Sequence, residues 1–600
     1  MASVTQMNLT ESLVRRASRR SAQSTRCPRA AQADSLSTAS TIVGKLFATI
    51  VASFALALSA PLASAQTLPQ SAPASRTEPI TYPTSDANAR TRLAQLAGDT
   101  SHLGAFLLRS PSIRLFGDTA LVRGPYSLTW LLPDVHIVAN SALPFSQNDG
   151  GLWAGRGLGG RITSGAVFTT GRWRAVIAPE LWLDANARFD RITQKNGWLF
   201  PNPPVPESRY GEGFASAWYA RPYSADLPWR FGNASMGRLL PGQSGLWYDA
   251  GPVEFGATTE NVWWGPGIRN AIVMSDNAAG IPRLEIRTPH PWNTRVGSFE
   301  ARWFVGALSE SQYFDTTKAN DVRSIAAAAV TWQPVFQPTL TLGVTRAVYA
   351  TSSGYGSVPF RWFDVLASTG DPADHLPSDS SLTPGGKDQL LSLFGRWLFP
   401  DDGFEAYAEW ARQTLPSLHD FIVDPSHSHG YTLGLQYRRP GPIDKPTFTV
   451  QGEVTTLEQS GDFKNRPVGV FYTSRRVIQG YTQLGLPIGA SFGPGGSSQW
   501  LAVDRVWSRG SVGVTFNRIR WNEDVRSTYT WPSYLGFCNH DVSIIPGVRG
   551  GHTMIGGYLS GNVMFGDRLN YNFQNISGCQ GPAKIDVHNT TISLSWSPFR

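Results

Sequence analysis

Three carboxylates in the second half of the sequence are of the type that hydrolytic chemistry needs. Glu405 and Glu409 lie on one face of an alternating segment, and Glu453 lies on another such segment. Two such groups could act as acid and base on a glycosidic bond. The same faces carry arginines, and the pairing of opposite charges is the plainer interpretation, which we prefer. We therefore expect no catalytic residue and no enzymatic activity.

A second group of potential ligands occurs in the segment 414–429. It contains His419, Asp420, Asp424, His427 and His429. An H-x-H pair beside carboxylates can bind a divalent metal. In a long connection, however, these residue types are ordinary solvated side chains, and nothing in the sequence fixes their geometry. We expect neither a metal nor a cofactor.

The segments that would position these side chains alternate in polarity. In the segment 590–599, Ile592, Leu594 and Trp596 alternate with three serines. An extended strand sends successive side chains to opposite faces, so this segment is apolar on one side only. Further segments repeat the pattern, and they are 173–184, 299–307, 404–410, 431–438 and 569–574.

Composition favours strands that face lipid over strands that face water. Charged residues make up 16% of the chain and aromatic residues 12%. Lysine is scarce, and the polar faces mix Arg with Glu and Asp, which suits a closed lumen with a filled or narrow interior. The mean hydropathy of −0.20 argues against a bundle of membrane helices. We predict an all-β fold, a closed antiparallel transmembrane β-barrel of about 18 strands.

The N-terminal region reads as an export signal. Lys45 precedes an apolar run, and the run ends in Ala63-Ser64-Ala65, which is a small-x-small cleavage site. We predict cleavage between Ala65 and Gln66, and hence localisation in the outer membrane of a Gram-negative-type bacterium. Residues 1–65 hold seven of the Lys and Arg residues and two acids, so most of the net charge of +8 lies there. The charge balance therefore gives no case for nucleic acid.

The predicted domains are a leader with its signal (1–65), a linker with a periplasmic helical segment (66–115) and the barrel (116–600). Helical spacing occurs over 86–97 and 102–109. In the barrel, short turns are predicted at 333–337, 400–403, 439–445, 508–510 and 566–568. Long loops, including 414–429, 459–474 and 522–549, alternate with them. Bacterial barrels place short turns in the periplasm and long loops outside.

Two of the three cysteines fall in the predicted outer loops. Cys538 and Cys579 then share an oxidising compartment, whereas Cys27 lies in the leader. We favour a disulfide between the outer pair over two free thiols.

Aromatic residues are dense in one predicted outer loop, where Tyr529, Trp531 and Tyr534 are candidate glycan contacts. An aromatic ring covers the apolar C–H face of a sugar while neighbouring polar groups bond its hydroxyls. The alternative is an interface belt, which uses Trp and Tyr at lipid headgroups. For any single ring the belt is the better interpretation.

A segment in the middle of the chain carries a distinctive motif. It reads Glu-Asn-Val-Trp-Trp-Gly-Pro-Gly over 260–267, and an apolar stretch ending Ser-Asp-Asn-Ala follows over 272–278. The residues at the centre of this motif are Trp263, Trp264, Gly265, Pro266, Gly267 and Asn277. With these residues the chain resembles the Wzi capsule-assembly family. The two glycines and the proline could simply shape a bend.

The resemblance implies an eighteen-strand outer-membrane barrel behind a small periplasmic helical bundle. It also implies a lectin-like role in holding capsular or extracellular polysaccharide at the cell surface. The expected partners are that polysaccharide and outer-membrane lipid, with no nucleic acid, and we expect a monomer. The alternative function is a porin-like channel for oligosaccharides or other small solutes.

Overall fold

The architecture comes from a computed structural model of the chain. The structure describes residues 86–98, 106–110, 126–189, 224–315, 317–367, 369, 386–413, 418–441, 445–460, 469–524, 540–554, 556–571 and 586–598. The predicted leader and its cleavage site lie outside the described residues.

One closed antiparallel barrel contains most of the strands. Its strand segments, in chain order, are β2 (Ser127–Asn140), β3 (Gly157–Thr170), β4 (Trp173–Ile177), β5 (Glu180–Asp184), β6 (Met236–Leu240), β7 (Gly245–Asp249), β8 (Glu254–Thr258), β10 (Arg283–Arg287), β11 (Trp292–Thr294), β12 (Gly297–Ser309), β13 (Val322–Pro334), β14 (Leu340–Thr351), β15 (Lys387–Phe399), β16 (Phe404–Arg412), β17 (His429–Arg438), β18 (Thr447–Thr456), β21 (Ser497–Trp507), β22 (Gly510–Trp521), β23 (Asp541–Met554), β24 (Gly557–Leu569) and β25 (Val587–Pro598).

Short strands and helices complete the described structure. They are α1 (Asp86–Gln95), β1 (Leu108–Arg109), β9 (Trp263–Trp264), a 3-10 helix (Tyr355–Leu366), α2 (Leu418–Val423), β19 (Thr482–Gln483) and β20 (Leu486–Pro487). No helix in the described ranges is long and apolar enough to cross a membrane.

The barrel has eighteen spans, as predicted. Three strands of the barrel are each interrupted and therefore appear as two segments. These pairs of segments are β4–β5, β6–β7 and β10–β11. The twenty-one segments thus form eighteen strands. The first and last strands close the ring, with Val135 opposite Trp596 and Asn140 opposite Thr591. Closure leaves no open edge, which is the condition for crossing lipid with strands.

The predicted alternation holds around the wall. Leu433 and Leu435 point outward and are each 53% exposed, whereas Thr432 and Gln436 are buried in the lumen. On the last strand, Ile592 and Leu594 are 50% and 45% exposed. Outward apolar and inward polar side chains are the pattern of a barrel in a bilayer.

Short turns lie at one end of the barrel and long connections at the other, which places the short turns in the periplasm. Two predicted boundaries were wrong. The segment 566–568 is not a turn, because β24 runs through it, and the loop predicted over 522–549 ends at residue 540, where β23 begins.

One predicted strand was also too long. The segment 569–574 was predicted to be extended, but β24 ends at Leu569. Asn570 has a φ of 54°, a left-handed backbone conformation that ends the strand, and the Tyr571 side chain turns into a buried position.

The N-terminal helix plugs the periplasmic half of the lumen. Arg92 of α1 binds Glu405, and Gln95 accepts a 2.7 Å hydrogen bond from Arg396, close to the periplasmic turn at 400–403. The second predicted helix, 102–109, was wrong at its end, because Leu108 and Arg109 form β1; residues 102–105 lie outside the described residues. Strand pairing with β9 overrides the helical spacing there.

Two long connections fold into the lumen instead of extending outward. We call residues 259–282 the first inner segment and residues 469–496 the second inner segment. Ile272 and Tyr472, one from each, are fully buried in the main hydrophobic core. The core continues onto inward side chains of the wall, including Ile325, Ala327 and Leu390. Charge pairs, α1 and two apolar segments therefore fill the interior together.

Candidate functional site

The two tryptophans of the family motif lie inside the barrel. Trp263 and Trp264 form β9, are 1% and 0% exposed, and pair with Arg109 and Leu108 of β1. The Arg109 guanidinium lies 5.3 Å from the centre of the Trp263 ring, a cation–π distance. The motif therefore builds the interior and presents no ring to the outside.

The glycines that follow make a bend that other residues would not fit. Gly265 has a φ of 115°, and a Cβ there would lie 3.2 Å from a Glu409 carboxylate oxygen. A Cβ on Gly267 would lie 1.8 Å from the Asn270 carbonyl oxygen. The carbonyl of Pro266 accepts a 2.6 Å hydrogen bond from Arg92 of the plug. The Gly-Pro-Gly sequence thus shapes a backbone contact between the first inner segment, α1 and the wall.

Glu453 holds the first inner segment by its backbone. Its carboxylate accepts hydrogen bonds from the N–H groups of Ile268 (2.6 Å), Arg269 (3.1 Å) and Asn270 (2.8 Å), and from the Tyr407 hydroxyl (2.8 Å). Three successive amides directed at one carboxylate make a strong charge-assisted site. These bonds direct both carboxylate oxygens at the first inner segment and Tyr407.

The other two candidate carboxylates have different partners. Glu405 pairs with Arg92 (2.8 Å) and Arg396 (2.7 Å), as the charge-pairing interpretation predicts. Glu409 instead accepts hydrogen bonds from the Ile272 N–H (3.1 Å) and the Ser392 hydroxyl (2.8 Å). Pairing with arginine is thus confirmed for Glu405. It was wrong for Glu409 and Glu453, because backbone N–H groups of the first inner segment bind these two carboxylates instead.

A buried cluster of charges joins the motif to the neighbouring wall. Glu260, the first residue of the motif, lies 2.9 Å from Arg287 and 3.3 Å from Arg302. Arg302 and Arg283 both bind Glu285, at 2.5 and 2.7 Å. Interleaved charges of both signs compensate the cost of burying each one. An ion-selective pore uses lining charges of one sign, whereas this described part of the wall carries paired charges of both signs.

Asn277, the last residue of the motif, ties the two inner segments together. Its amide nitrogen donates to the Pro487 carbonyl at 3.0 Å. Two tyrosines of the second inner segment reinforce the tie, because Tyr472 donates to the Ile272 carbonyl (2.6 Å) and Tyr481 to the Val273 carbonyl (2.9 Å). The two segments therefore form one packed body in the lumen.

An aromatic and charged cluster lies on the outer rim, where β22, β23 and β24 end. We call it the outer rim cluster, and it consists of Trp229, Trp521, Asp541, Arg568 and Tyr571. Arg568 lies 4.8 Å from the Trp521 ring centre and 4.7 Å from the Tyr571 ring centre, and Asp541 binds it at 2.6 Å. Trp229 packs edge-on against Tyr571 at 6.1 Å. Tyr571 and Asp541 are buried, so Trp521 and Trp229 are the partly exposed rings of the cluster.

Comparison with known families identifies the central part of the barrel. The family model described as "Capsule assembly protein Wzi" matches residues 242–522. Over these residues the chain is similar to the Wzi capsule-assembly family. The match contains the first inner segment, the second inner segment and the strands that hold them. The resemblance predicted from the sequence is therefore confirmed.

Solved structures with a similar chain course include Wzi, an outer membrane protein involved in group 1 capsule assembly in Escherichia coli. It is 11% identical, with a TM-score of 0.48, over 78% of this chain and 85% of that chain. OccK2 (OpdF) of Pseudomonas aeruginosa is 9% identical, with a TM-score of 0.34, over 79% of this chain and 96% of that chain. OccAB2 of Acinetobacter baumannii is 8% identical, with a TM-score of 0.35, over 78% and 97%. No curated protein sequence matches the chain.

The remaining predicted residues fall outside the described residues. They are the candidate glycan contacts Tyr529, Trp531 and Tyr534, the cysteines Cys538 and Cys579, and the cleavage-site residues Ala65 and Gln66. Both ends of the connection that carries the three aromatics are described. Trp521 closes β22 before it and Asp541 opens β23 after it, and both belong to the outer rim cluster.

The histidine-rich connection has the features of a structural loop in its described part. His427 is fully buried, and no group of three or more His, Cys, Asp or Glu side chains that could hold a metal occurs in the described ranges. The expectation that this loop binds no metal stays a prediction.

Sequence reasoning missed the outer rim cluster because its members are far apart in the chain. Trp229 comes from the connection between β5 and β6, whereas Arg568 and Tyr571 come from the end of β24. Register brings Ser543 opposite Arg568, and it brings Trp521 opposite Asp541. An arginine and an aromatic residue at the outer ends of neighbouring strands was the available signal.

Proposed function

We propose that this Wzi-family barrel binds capsular or extracellular polysaccharide at the cell surface, as a lectin-like and non-enzymatic protein of the outer membrane. The observation that carries the proposal is the family match over residues 242–522. The matched part holds the inner segments in place and reaches the outer rim at Trp521. The family description concerns capsule assembly, and a polysaccharide is the ligand that such assembly requires.

The filled lumen supports holding a polymer outside over passing solute through. Side chains of both inner segments, such as Val273 and Tyr481, are fully buried against the wall. The plug adds Leu96, which is also fully buried, from the periplasmic side. A conducting pore needs a continuous polar path, and this packed body lies across it.

The outer rim cluster supports the location of the binding site. Trp521 is partly exposed, and its indole N–H donates to the Ser543 hydroxyl at 2.8 Å, which fixes the ring plane. A fixed ring can cover the apolar face of a sugar, and the partly exposed Arg568 guanidinium beside it offers donors for hydroxyls. We propose that Tyr529, Trp531 and Tyr534 extend this surface from the connection between β22 and β23.

The remaining untested assignments complete the proposal. The mature chain would begin at Gln66 after signal cleavage, residues 66–115 would form the linker and plug, and residues 116–600 the barrel. A bond between Cys538 and Cys579 would join the connection after β22 to the one after β24. It would thereby brace the two connections that flank the outer rim cluster.

The experiment is co-sedimentation of the purified protein with the host's own polysaccharide. Trp531→Ala and Tyr534→Ala should each weaken binding about tenfold or more, which is typical of a central aromatic contact. Trp397→Ala is the matched control, because this ring is 43% exposed on the lipid-facing wall. Equal weakening by the control, or none by the loop variants, would refute this location.

Planar-bilayer recording tests the porin-like alternative. The proposal expects no steady conductance from the wild-type protein, because the inner segments and the plug close the lumen. A steady current with the size expected of an open barrel would favour the channel.

A further inference from the structure

The 3-10 helix Tyr355–Leu366 lies on the outside of the barrel, and we call it the outer strap. Val358 and Val365 of the strap are buried. They pack against outward side chains of the wall, Val305 and Ala307 for the first and Ala326 and Ala328 for the second. Trp303 donates its indole N–H to the Trp362 carbonyl at 3.2 Å. These contacts hold the strap flat against β12 and β13.

The outer strap lies at the level of the outer leaflet. Tyr355 hydrogen-bonds at 3.1 Å to Ser309, the last residue of β12 at the outer end of the barrel. The strap then covers wall positions down to Trp303, in the middle of that strand. Its own Phe360 and Phe363 are 86% and 68% exposed. Exposed aromatics at this level are typical of a membrane interface.

A groove separates the first turn of the strap from the neighbouring wall. It has a volume of about 440 Å³. Small wall residues, including Ala257 and Gly306, leave the space that forms the groove. Apolar side chains complete the lining, and they are Leu284, Val305, Val358 and Pro359. The groove opens on the lipid-facing surface, so the chains of membrane lipids are what it meets.

The far end of the strap carries an excess of positive charge. Arg361 and Lys387 share one carboxylate, Asp364, at 3.1 and 2.5 Å. Arg346 points outward beneath the strap, where it binds the Gln389 amide oxygen (2.9 Å) and the Ala367 carbonyl (2.6 Å). Two cations thus share one carboxylate, and Arg346 adds a third positive charge beneath the strap. The cluster complements the phosphate of an anionic lipid headgroup.

We propose that the outer strap and the adjoining wall form a binding site for a phosphate-bearing acylated glycolipid of the outer leaflet, of the lipid A class. One acyl chain lies in the groove between Ala257 and Val358, and a phosphate lies against Arg361 and Lys387. The strap thereby fixes a lipid to the wall beside the inner segments.

The test measures binding of purified lipid A to the delipidated, detergent-solubilised full chain by native mass spectrometry. Ala257→Trp fills the groove from an exposed, outward position. Ala408→Trp is its matched control, because Ala408 is likewise an exposed outward alanine on the wall and lies away from the strap, on β16. Ala257→Trp should weaken binding about tenfold, the effect expected from excluding about two methylene groups of the chain, and the control should leave it unchanged. Equal lipid A binding by the two variants would refute the placement of an acyl chain in the groove.

The headgroup half has its own measurement. Replacing Arg361 and Lys387 together by Gln should weaken lipid A binding about tenfold, and it should remove the preference for lipid A over its dephosphorylated form. Lys318→Gln, at an exposed outer position, is the control and should do neither. A wild-type protein that binds both forms equally would overturn the phosphate assignment. Heat-modifiable gel migration verifies that every variant is folded.

Discussion

The Glu453 carboxylate on β18 accepts a 2.6 Å hydrogen bond from the backbone N–H of Ile268 in the first inner segment. Glu453 is 2% exposed, and Asn270 of the same segment also donates to it. One wall residue therefore binds successive backbone amides of a connection that lies inside the barrel. The first prediction follows from this contact.

Glu453→Ala should loosen the first inner segment. The variant leaves buried amides without an acceptor, at roughly 1–3 kcal/mol for each group that water does not reach. Urea unfolding in lipid vesicles should show the loss of stability, and planar-bilayer recording should show intermittent current. Glu453→Gln, which keeps one acceptor oxygen, should have a smaller effect. If Glu453→Ala conducts no current and is as stable as the wild type, other contacts hold the first inner segment.

Glu405→Ala should destabilise the barrel more than a typical surface change. It leaves Arg92 and Arg396 as buried cations without their carboxylate, and breaking such a pair costs roughly 3–5 kcal/mol. The same unfolding measurement applies. Asp402→Ala, in the exposed periplasmic turn, is the control and should change little. If the two variants unfold alike, water must reach the plug.

Gly265→Ala should destabilise the chain by roughly 1–3 kcal/mol, because alanine at a φ of 115° is strained and its Cβ approaches Glu409. Gly452→Ala is the matched control, since a Cβ at this strand glycine meets nothing within 4 Å. Circular dichroism melting in detergent compares them. An equal loss of stability in Gly452→Ala and Gly265→Ala would contradict the role of Gly265 in the bend.

Contacts between three outer connections should weaken as the pH rises. Burial raises the pKa of Glu310 to about 8, with the Asp226 charge adding to the effect. Burial raises the pKa of Asp226 to about 6. Folding then favours the protonated carboxyls, so the stabilisation is complete below the unfolded pKa, near 4.5 for Glu310, and is lost towards pH 8.

Hydrogen exchange near Ser311 and Gln479, which bind these two carboxyls, should therefore speed up between pH 5 and pH 8. Glu310→Gln should flatten that dependence, since the amide does not titrate. Exchange that slows with rising pH, after correction for the intrinsic rate, would contradict the sign.

A thiol assay tests the proposed bond between Cys538 and Cys579. The unreduced, denatured mature protein should show no free thiol, and the reduced protein two. Two free thiols without reduction would contradict the bond.

The alternating strands were predictable because the apolar residues of each strand, at every second position, show which side faces lipid. Leu433 and Leu435 needed no tertiary information to be placed outward. The inner segments were not predictable in this way, since a connection that turns inward has no periodicity. Their apolar content was the available signal, for Val470, Phe471 and Tyr472 would be costly in a solvated loop.

The run Ile325–Val330 held a second signal. It contains four consecutive alanines and no alternation, which indicates a strand covered on both faces. The structure shows both covers, with inner-segment packing against Ala327 and the outer strap against Ala328. The outer rim cluster depends on the register of distant strands, which a single sequence does not reveal.

The plug has a consequence for the order of events during biogenesis. Helix α1 precedes every barrel strand in the chain, yet its partners Arg396 and Glu405 lie on β15 and β16, 301 and 313 residues after Gln95 and Arg92. Helix α1 can therefore dock in the lumen only after strands β15 and β16 have assembled. Insertion into the membrane and sealing of the lumen are successive steps, and the seal comes from the part of the protein that is exported first.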